Sequence, residues 1–555
     1  MKKQIIPKTI LFVFIFVFIN IFIAIFGKEN SLIGVIIITM LLMLLQRNLA
    51  ISPIKNTFKL LAINLFLGIF AFLSVQNIYL GIVCNLIAMF VVGYLFSYNL
   101  KSHLDIAFGL LYLFMLGVPV TIEQLPLRLM SLVGGTLIIM LSQIITNKNK
   151  LEKSSDKLIN QIASLIAEKS DLLKNGKNIE AIDLKLKSSL KQIKSILYDN
   201  RKDGFFLSDN GVNIFNIVFN FERIDELLNN YKYDKDVLLN INEELKNLKD
   251  YVSEVSEKNN RILNSEKSRN LHGFYDALEN IYYYLDEYKN NSSEKDIYEN
   301  IEIPHNFKKL YIYKEHLSVK SMKFTYAIKV AIGIAIAGFI MDYFNLSEGR
   351  WILYTVFSII QPYTEDGIVK TKKRVFGTVL GCISVFILFS IFKNSTVRSL
   401  LIILVGYLSG YAKEIDYKYE MICITISAVG VVSVLTSPET FIINRLMFIA
   451  LGAIIALIIN RLILPYNINT AYNVLVEMHG KTIKEMESEV SLALNGNGNR
   501  HKIKSLLLIS NLIEDKLSSM NGIVKNENHD LILSKNRSLA NNMYSTYLKT
   551  KNKKG

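Results

Sequence analysis

The sequence predicts an all-α membrane protein in which two parallel six-helix transmembrane repeats flank a helical cytoplasmic domain, with a C-terminal helical cytoplasmic tail after them. Three observations predict this fold class: apolar segments without charge, motifs that recur at a nearly constant spacing, and two polar segments with helical periodicity. We expect the transmembrane halves to span 1–146 and 321–465, the central domain 147–320, and the tail 466–555.

The apolar residues are segregated along the chain. The 555 residues are 51% hydrophobic and 20% charged, with a mean hydropathy of +0.30, yet the segments 10–26 and 78–96 contain no charged residue. Uncharged apolar runs of about 18 residues or more cross a hydrocarbon core of roughly 30 Å as helices. The absence of a two-residue alternation excludes a membrane β-barrel.

Twelve membrane helices are predicted, six in each half. The first is expected to be an uncleaved helix, because it is longer than the apolar region of a usual signal peptide and lacks a small-x-small cleavage site. The segments at 350–362 and 398–411 are short for a membrane span and are expected to be tilted, broken or partly buried. The twelve helices are predicted near 10–26, 31–46, 58–74, 78–97, 104–121, 127–146, 324–341, 350–362, 375–392, 398–411, 421–436 and 444–464.

The formal net charge of +15 is best explained by membrane topology. Lys370, Lys372, Lys373 and Arg374 crowd one predicted inner loop. Because cytoplasmic loops are enriched in Lys and Arg, we expect both termini and the central domain in the cytoplasm and the chain in the cytoplasmic (inner) membrane. The sequence contains no zinc-finger, ribonucleoprotein or helix-turn-helix signature, so we expect no nucleic-acid partner.

The two halves show the pattern of a tandem repeat. Three pairs of motifs match at offsets of 313, 317 and 315 residues. Because each half has an even number of helices, the repeats have the same orientation and are related by an axis along the membrane normal. The matched motifs begin at Gly93 and Gly406, at Arg128 and Arg445 (followed by Gly135 and Gly452), and at Gln46 and Gln361 (followed by Lys55 and Lys59, and by Lys370 and Arg374).

The two polar segments, 147–320 and 466–555, are rich in Lys, Glu and Asn, with apolar residues every three to four positions. This spacing is typical of amphipathic helices that pack along one face. We therefore expect long antiparallel helical hairpins in the central domain and further helices in the tail.

Enzymatic chemistry is not indicated by any motif. Cys84, Cys382 and Cys423 each stand alone in an apolar segment, and the seven histidines are scattered. The sequence lacks HExxH, Walker A, GxSxG and GxGxxG patterns. We therefore expect no catalytic residue, no metal site, no cofactor and no enzyme activity.

The most informative segment runs from 349 to 381. Trp351 opens a predicted membrane helix, and Gln361-Pro362 ends it, because a proline cannot continue the helical hydrogen-bond ladder and leaves carbonyl groups free. A polar loop is expected next, and then Arg374 leads into a further membrane helix.

Small residues in this half predict close helix packing. Gly377, Thr378 and Gly381 lie on one face of the predicted helix that follows Arg374, and Gly452 lies in the last predicted helix. Small residues let two membrane helices approach closely. We expect these four positions to be helix-packing contacts.

The pattern W-x₉-Q-P followed by R-x-x-G-T-x-x-G resembles the fusaric acid resistance-like family, which is related to the aromatic acid exporters. Lys329 stands where that family usually has an arginine, and Arg445 lies in a segment that resembles the family's last helix. The first half resembles the family mainly in layout, since it has no counterpart of Trp351 and has Arg47 in place of Pro362.

This resemblance implies a membrane permease that exports organic anions, such as aromatic carboxylic acids or related toxic compounds, driven by the proton gradient. A more distant resemblance to the aluminium-activated malate channels of plants leaves a passive anion channel open, and a non-transporting scaffold in envelope assembly is a further alternative. The expected partners are the lipid bilayer, a small organic anion, and a periplasmic adaptor or a second copy of the chain.

The candidate substrate-binding residues are Trp351, Gln361, Arg374, Arg445 and Asp105. Arginine binds a carboxylate through two parallel hydrogen bonds, and an ionisable residue within a membrane is a functional candidate. Alternatives stay open: the arginines also suit helix ends as interfacial anchors, and Asp105 suits a cytoplasmic helix end.

Two further acids, Glu365 and Asp366, follow the predicted helix break. They are candidates for carrying protons in antiport, with a solvated loop as the alternative.

Overall fold

The structure is a computed structural model that describes residues 2–45, 47–97, 104–147, 150–230, 235–253, 272–290, 303–304, 317–433, 439–520, 523–524 and 529–554. These residues are predominantly helical, and no β-strand occurs among them. Eight helices in this part of the chain are long and apolar enough to cross a membrane. The prediction of an all-α, multi-pass membrane protein is confirmed.

The described residues form twenty α-helices. In chain order they are α1 (Lys2–Phe26), α2 (Ser31–Leu44), α3 (Pro53–Gln76), α4 (Ile78–Phe96), α5 (Asp105–Gly117), α6 (Leu125–Asn147), α7 (Lys150–Lys174), α8 (Glu180–Asp199), α9 (Asp209–Asn230), α10 (Lys235–Val252), α11 (His272–Asn290), α12 (Met322–Tyr343), α13 (Arg350–Ile359), α14 (Thr364–Ile391), α15 (Ser395–Ile415), α16 (Tyr417–Val432), α17 (Glu439–Leu462), α18 (Ile468–Leu494), α19 (Arg500–Ser519) and α20 (His529–Lys554). The eight candidate spans are α1, α3, α4, α6, α12, α14, α15 and α17.

Four helices in the predicted membrane halves are shorter than a span: α2, α5, α13 and α16 have 14, 13, 10 and 16 residues. The arrangement of six spans per half therefore stays a prediction. The short span predicted at 398–411 is wrong, because α15 continues to Ile415. It ends where the Asp416 side chain caps the next helix by accepting a hydrogen bond from the Lys418 amide at 2.9 Å.

A second correction concerns the segment after Pro362, which was predicted to be a polar loop. The segment is helical from Thr364 onward, so Arg374 lies ten residues inside α14. Pro362 is the last helix-breaking residue before this helix, and Gly367 is tolerated in its first turns. The charged residues between Thr364 and Arg374 suggested a loop, but no helix-breaking residue interrupts the helix there.

The chain divides into two compact units. The first comprises 1–46, 53–142 and 313–474, and the second comprises 47–52, 143–312 and 475–555. The first unit contains all eight candidate spans, with α6 belonging to it as far as Ser142. Its two sequence halves meet where α4 packs on α12, and a Cβ atom on Gly93 would lie only 2.8 Å from the Ala327 Cα atom.

The second unit is a helical domain with one apolar core built from α7–α11 and from α18–α20. Its last helix is fixed by Tyr544, which is fully buried, donates a hydrogen bond to the Asn216 side chain at 2.6 Å and packs edge-on against Phe219. The buried Lys169 ammonium contacts Asp183 at 2.6 Å and also pairs with Asp225. Burial raises the pKa of Asp225, and the Lys169 charge opposes that rise.

The small residues predicted at packing positions lie at close helix crossings of the first unit. A Cβ atom on Gly377 would lie 2.6 Å from the Lys418 carbonyl oxygen, and one on Gly381 would lie 2.6 Å from the Thr425 Cβ atom. Both contacts bring α14 against α16. A Cβ atom on Gly452 would lie 2.8 Å from the Thr355 Cβ atom, where α17 meets α13. Thr378 is buried between these glycines.

We predict that Gly381→Ala destabilises this helix crossing, because the new methyl group cannot fit beside Thr425 without moving the backbone. Overpacking of this kind costs about 1–3 kcal/mol. Thermal unfolding of the purified chain in detergent, followed by the fluorescence of Trp351 (the single tryptophan), should show a lower Tm.

The matched control is Gly410→Ala on α15, where a Cβ atom would meet nothing within 4 Å among the described residues. Alanine is a better helix former than glycine by about 1 kcal/mol, so this variant should keep or raise the Tm. Equal effects of the two substitutions would contradict the packing role of Gly381.

Candidate functional site

The candidate site lies among four helices of the first unit: α13, α14, α16 and α17 pack together. The helix α13 is only ten residues long. Ile360 has an extended backbone conformation, and Pro362 has no backbone N–H group with which to continue the helical hydrogen bonds. Its first turn carries Trp351, and its last turn carries Ser358. Two arginines, Arg374 from α14 and Arg445 from α17, project into this bundle.

Arg445 is 3% exposed, and its guanidinium carbon lies 3.7 Å from the centre of the Trp351 ring. Its Nη2 donates one long hydrogen bond of 3.4 Å to the Thr425 hydroxyl. The Nε and Nη1 atoms are buried and have no hydrogen-bond partner among the described residues. Each unsatisfied buried donor costs about 1–3 kcal/mol, and more on a charged group, so this arginine is energetically costly as it stands.

Arg374 is 7% exposed. Its Nη1 donates hydrogen bonds of 3.1 Å to the hydroxyls of Ser358 and Tyr417, and it lies 3.4 Å from the Met421 sulfur. Its Nε has no partner among the described residues. All the contacts around this guanidinium are uncharged, and neither arginine forms an ion pair with any residue that the structure describes.

The two arginines succeed one another along a single face of α16. Tyr417 and Met421 contact Arg374, and Thr425 contacts Arg445. Residues four apart on a helix stand one above the other with a rise of about 6 Å. The partners of the two guanidinium groups therefore follow one another along α16, and the charges of the two groups interact.

Trp351 connects this site to the turn before α13. Its indole Nε1 donates a hydrogen bond of 3.1 Å to the Glu348 carboxylate. The same carboxylate accepts hydrogen bonds of 2.7 and 3.2 Å from Arg350. Glu348 has a φ of +66°, a left-handed conformation that is uncommon for residues other than glycine.

Gln361 has a local role. Its side-chain amide donates to the carbonyl oxygens of Ser358 at 3.0 Å and Ile360 at 2.9 Å. These are carbonyl groups that the break at Pro362 leaves without helical partners. Gln361 thus stabilises the end of α13 and reaches Arg374 only through Ser358, which contacts both side chains.

Asp105 lies apart from the two arginines. It is 3% exposed in the first turn of α5 and accepts a hydrogen bond of 2.6 Å from the hydroxyl of Tyr326 on α12. Its charge acts on Lys370, which in turn interacts electrostatically with Arg374. Glu365 and Asp366 are exposed in the first turn of α14, where acidic residues stabilise a helix N-terminus.

The equivalent positions of the first half are arranged differently. Lys59, the counterpart of Arg374, is exposed. Arg128, the counterpart of Arg445, is buried but satisfied: it donates to the Asn30 side chain at 3.0 Å and to the carbonyls of Val118 at 2.7 Å and Glu29 at 2.8 Å. Gln46, the counterpart of Gln361, lies outside the described residues.

Sequence reasoning missed the uncharged partners of the arginines: Ser358, Tyr417, Met421, Thr425 and the acid Glu348. One signal was available, because positions 417, 421 and 425 have the four-residue spacing of one helix face. Lys329 was noted only as a family variant. The structure shows its side chain fully buried, with an Nζ that has no hydrogen-bond partner among the described residues.

Within the described residues, no group of three or more His, Cys, Asp or Glu side chains is placed to hold a metal ion. The chemical character of the site is instead cationic and aromatic. Two guanidinium groups with open N–H donors can accept an anion, and Trp351, Tyr417 and Met421 offer the apolar and aromatic surface beside them.

Comparison with known proteins identifies the region that holds this site. Residues 334–459 match the profile of the family described as fusaric acid resistance protein-like. An uncharacterized protein of Haemophilus influenzae is 24% identical over 142 residues, which are 25% of this chain and 20% of that protein. This chain therefore matches about a fifth of that relative's length. No solved structure matches.

The matched region begins within α12 and ends within α17, so it includes all four helices of the site. The predicted resemblance is confirmed for this region, and the long apolar helices are those of a multi-pass membrane protein. Residues 334–459 are similar to the fusaric acid resistance protein-like family.

Proposed function

We propose that this chain is a membrane permease that exports organic anions, aromatic carboxylates in particular, with Arg374 and Arg445 as its anion-binding groups. One observation carries the proposal: two guanidinium groups are buried in one helix bundle, both keep N–H donors without partners, and neither is paired with a carboxylate of the described residues.

Electrostatics supports an anionic ligand. A buried charge is tolerated when it is paired and hydrogen-bonded, and it is costly when it is not. The two guanidiniums also repel each other. A carboxylate that enters between the helices would accept hydrogen bonds from the open donors and neutralise part of this charge.

The side chains around the arginines support an aromatic ligand. The Trp351 ring lies against Arg445, and the Tyr417 hydroxyl and the Met421 sulfur lie 3.1 and 3.4 Å from the Arg374 Nη1 atom. Aromatic rings favour offset or edge-to-face contact with other rings, and methionine adapts to ligands of varied shape. An aromatic acid would satisfy both the charged and the apolar parts of this site.

Two successive arginine positions favour transport over permanent binding. An ion passes through a protein when each site holds it strongly enough to enter and weakly enough to leave. Each guanidinium here has only part of its donors open, because Thr425 engages Arg445 and the hydroxyls of Ser358 and Tyr417 engage Arg374. An anion would move from one position to the next along α16.

We place the protein in the cytoplasmic (inner) membrane, with both termini and the second unit in the cytoplasm. The support is the excess of Lys and Arg in the loops predicted to be inner ones, for example Lys413 and Lys418 beside the α15–α16 turn. The recurring motifs support two parallel six-helix repeats, with the anion site in the second repeat. A periplasmic adaptor or a second copy of the chain would complete the export route.

The proposed driving force is the proton gradient, and a passive anion channel is the alternative. The channel is favoured by the fixed charge of arginine, since no proton needs to be released for the guanidiniums to bind an anion. Phthalate is a suitable probe, because its two charges at neutral pH suppress diffusion through lipid.

Inside-out vesicles with an acidic lumen and a clamped membrane potential separate the two mechanisms. The permease should accumulate phthalate in the lumen above the external concentration, and collapse of the pH gradient should release it. Simple equalisation of phthalate, together with currents that follow an imposed potential, would identify a channel instead.

The repeat offers a matched pair of substitutions that tests the anion site. Arg445→Met should reduce phthalate uptake at least about tenfold, because charge-assisted hydrogen bonds contribute about 1.5–3 kcal/mol each. Its Tm should change little, since the lost contacts are one long hydrogen bond and the Trp351 stacking.

Arg128→Met should give the opposite result: normal phthalate uptake and a lower Tm. It leaves the acceptors at Asn30, Val118 and Glu29 without their donor, at about 1–3 kcal/mol for each buried group, so the Tm should fall. Normal uptake by Arg445→Met, with a fall in Tm equal to that of Arg128→Met, would show that Arg445 is structural and would contradict the proposed function.

A further inference from the structure

We propose that Trp351 is an insulating side chain that keeps Glu348 from pairing with Arg445, so that the Arg445 guanidinium stays available to the transported anion. This inference rests on the proposed function and adds a positioning role that the arginines alone do not explain. It assigns Glu348 as the built-in competitor of the substrate carboxylate.

The indole ring separates an acid from a base. The Glu348 carboxylate contacts the ring edge, where Nε1 donates a hydrogen bond at 3.1 Å. The Arg445 guanidinium contacts the ring face, with its carbon 3.7 Å from the ring centre. The two opposite charges interact electrostatically and form no ion pair with each other, the ring lies against both of them, and Glu348 pairs with Arg350 instead.

An ion pair would otherwise be expected here. Two donor nitrogens of Arg445, Nε and Nη1, have no partner among the described residues, and a carboxylate that reached them would form a charge-assisted pair of the strongest kind available to a protein. Glu348 is the acid that would form this pair, since its charge acts on Arg445. A carboxylate of the protein in this position would occupy the donors that the substrate needs.

Stacking on the ring face has a different consequence from ion pairing. A guanidinium that stacks on an aromatic ring keeps its N–H groups in its own plane, where they remain free to donate. Trp351 therefore holds Arg445 in place without using the Nε and Nη1 donors. An aliphatic side chain at this position would offer no such attraction.

The backbone around Glu348 directs its side chain toward the Trp351 ring. Glu348 has a φ of +66° and Asn345 a φ of +47°, conformations that persist in non-glycine residues only where the surroundings enforce them. Gly349 follows, and a Cβ atom there would lie 2.7 Å from the Met341 side chain. Arg350 holds the carboxylate from the other side with hydrogen bonds of 2.7 and 3.2 Å.

The test is benzoate binding to the purified full-length chain in detergent, measured by equilibrium dialysis. Trp351→Ala should weaken binding at least about tenfold, which corresponds to about 1.4 kcal/mol, because Glu348 can then reach Arg445. The double variant Trp351→Ala with Glu348→Gln should bind benzoate at least about threefold more tightly than Trp351→Ala does, since a neutral amide cannot neutralise the guanidinium, and the loss that remains is the direct contact between the Trp351 ring and the ligand. The recovery distinguishes insulation from packing, because a lost packing contact is not restored by changing Glu348.

Trp351→Phe is the conservative variant, since it keeps a ring face for Arg445 and loses only the N–H donor. It should bind benzoate more tightly than Trp351→Ala does. Size-exclusion profiles and thermal unfolding followed by far-ultraviolet circular dichroism check folding, because these variants lack the single tryptophan. Trp351→Leu replaces Trp351→Ala in both arms of the comparison if the alanine variant does not fold.

The possible results distinguish the insulating role of Trp351 from the proposed anion site. If the wild type binds benzoate and Trp351→Ala binds it equally well, the insulating role is wrong. The same follows if adding Glu348→Gln to Trp351→Ala restores no binding. Both results leave the proposed function standing. Absence of benzoate binding by the wild type itself counts against the proposed anion site.

Discussion

Two buried positive charges that form no ion pair with any described residue impose the main constraint on this membrane unit. Arg374 and Arg445 lie inside one helix bundle, their hydrogen-bond partners are uncharged, and both keep unsatisfied N–H groups among the described residues. Such an arrangement lowers stability, so the surrounding helices have to compensate. They do so by close packing at Gly377, Gly381 and Gly452, where the backbones or side chains of neighbouring helices occupy the space of a Cβ atom.

The two sequence halves show how one repeated position serves two purposes. Arg128 and Arg445 occupy matching motifs, and both are buried. Arg128 donates hydrogen bonds to backbone carbonyls and to an asparagine side chain, and these bonds connect segments of the first half. Arg445 instead faces an aromatic ring and a single hydroxyl. The difference lies in the partners and not in the arginine itself, and it makes the second half the better candidate for binding.

The sequence was sufficient to predict the helical membrane fold, because long uncharged apolar segments have few other stable structures. It also singled out Trp351, Arg374 and Arg445, whose chemistry is rare inside a membrane. It did not predict that Arg374 lies within a helix, because a cluster of charges resembles a loop when only the local sequence is considered.

Contacts between residues far apart in the sequence could not be predicted from local sequence patterns. Asp105 meets Tyr326, which lies 221 positions away in the sequence, and Gln361 turns back to the carbonyls of its own helix end. Neither contact follows from residue spacing. The Tyr417–Met421–Thr425 face is an intermediate case, since its periodicity is visible in the sequence but its contact with two arginines depends on how the helices pack.

The central claim is that the second half recognises an anionic charge, and paired ligands of nearly equal shape test it most directly. Benzoate and benzamide differ mainly in that one carries a carboxylate and the other a neutral amide. A ligand that binds the folded state raises its thermal stability by an amount that grows with the logarithm of its concentration relative to its Kd. We predict that benzoate raises the Tm of the purified chain in a concentration-dependent manner, whereas benzamide leaves it unchanged. Equal shifts with both ligands, or no shift with benzoate, would contradict the claim.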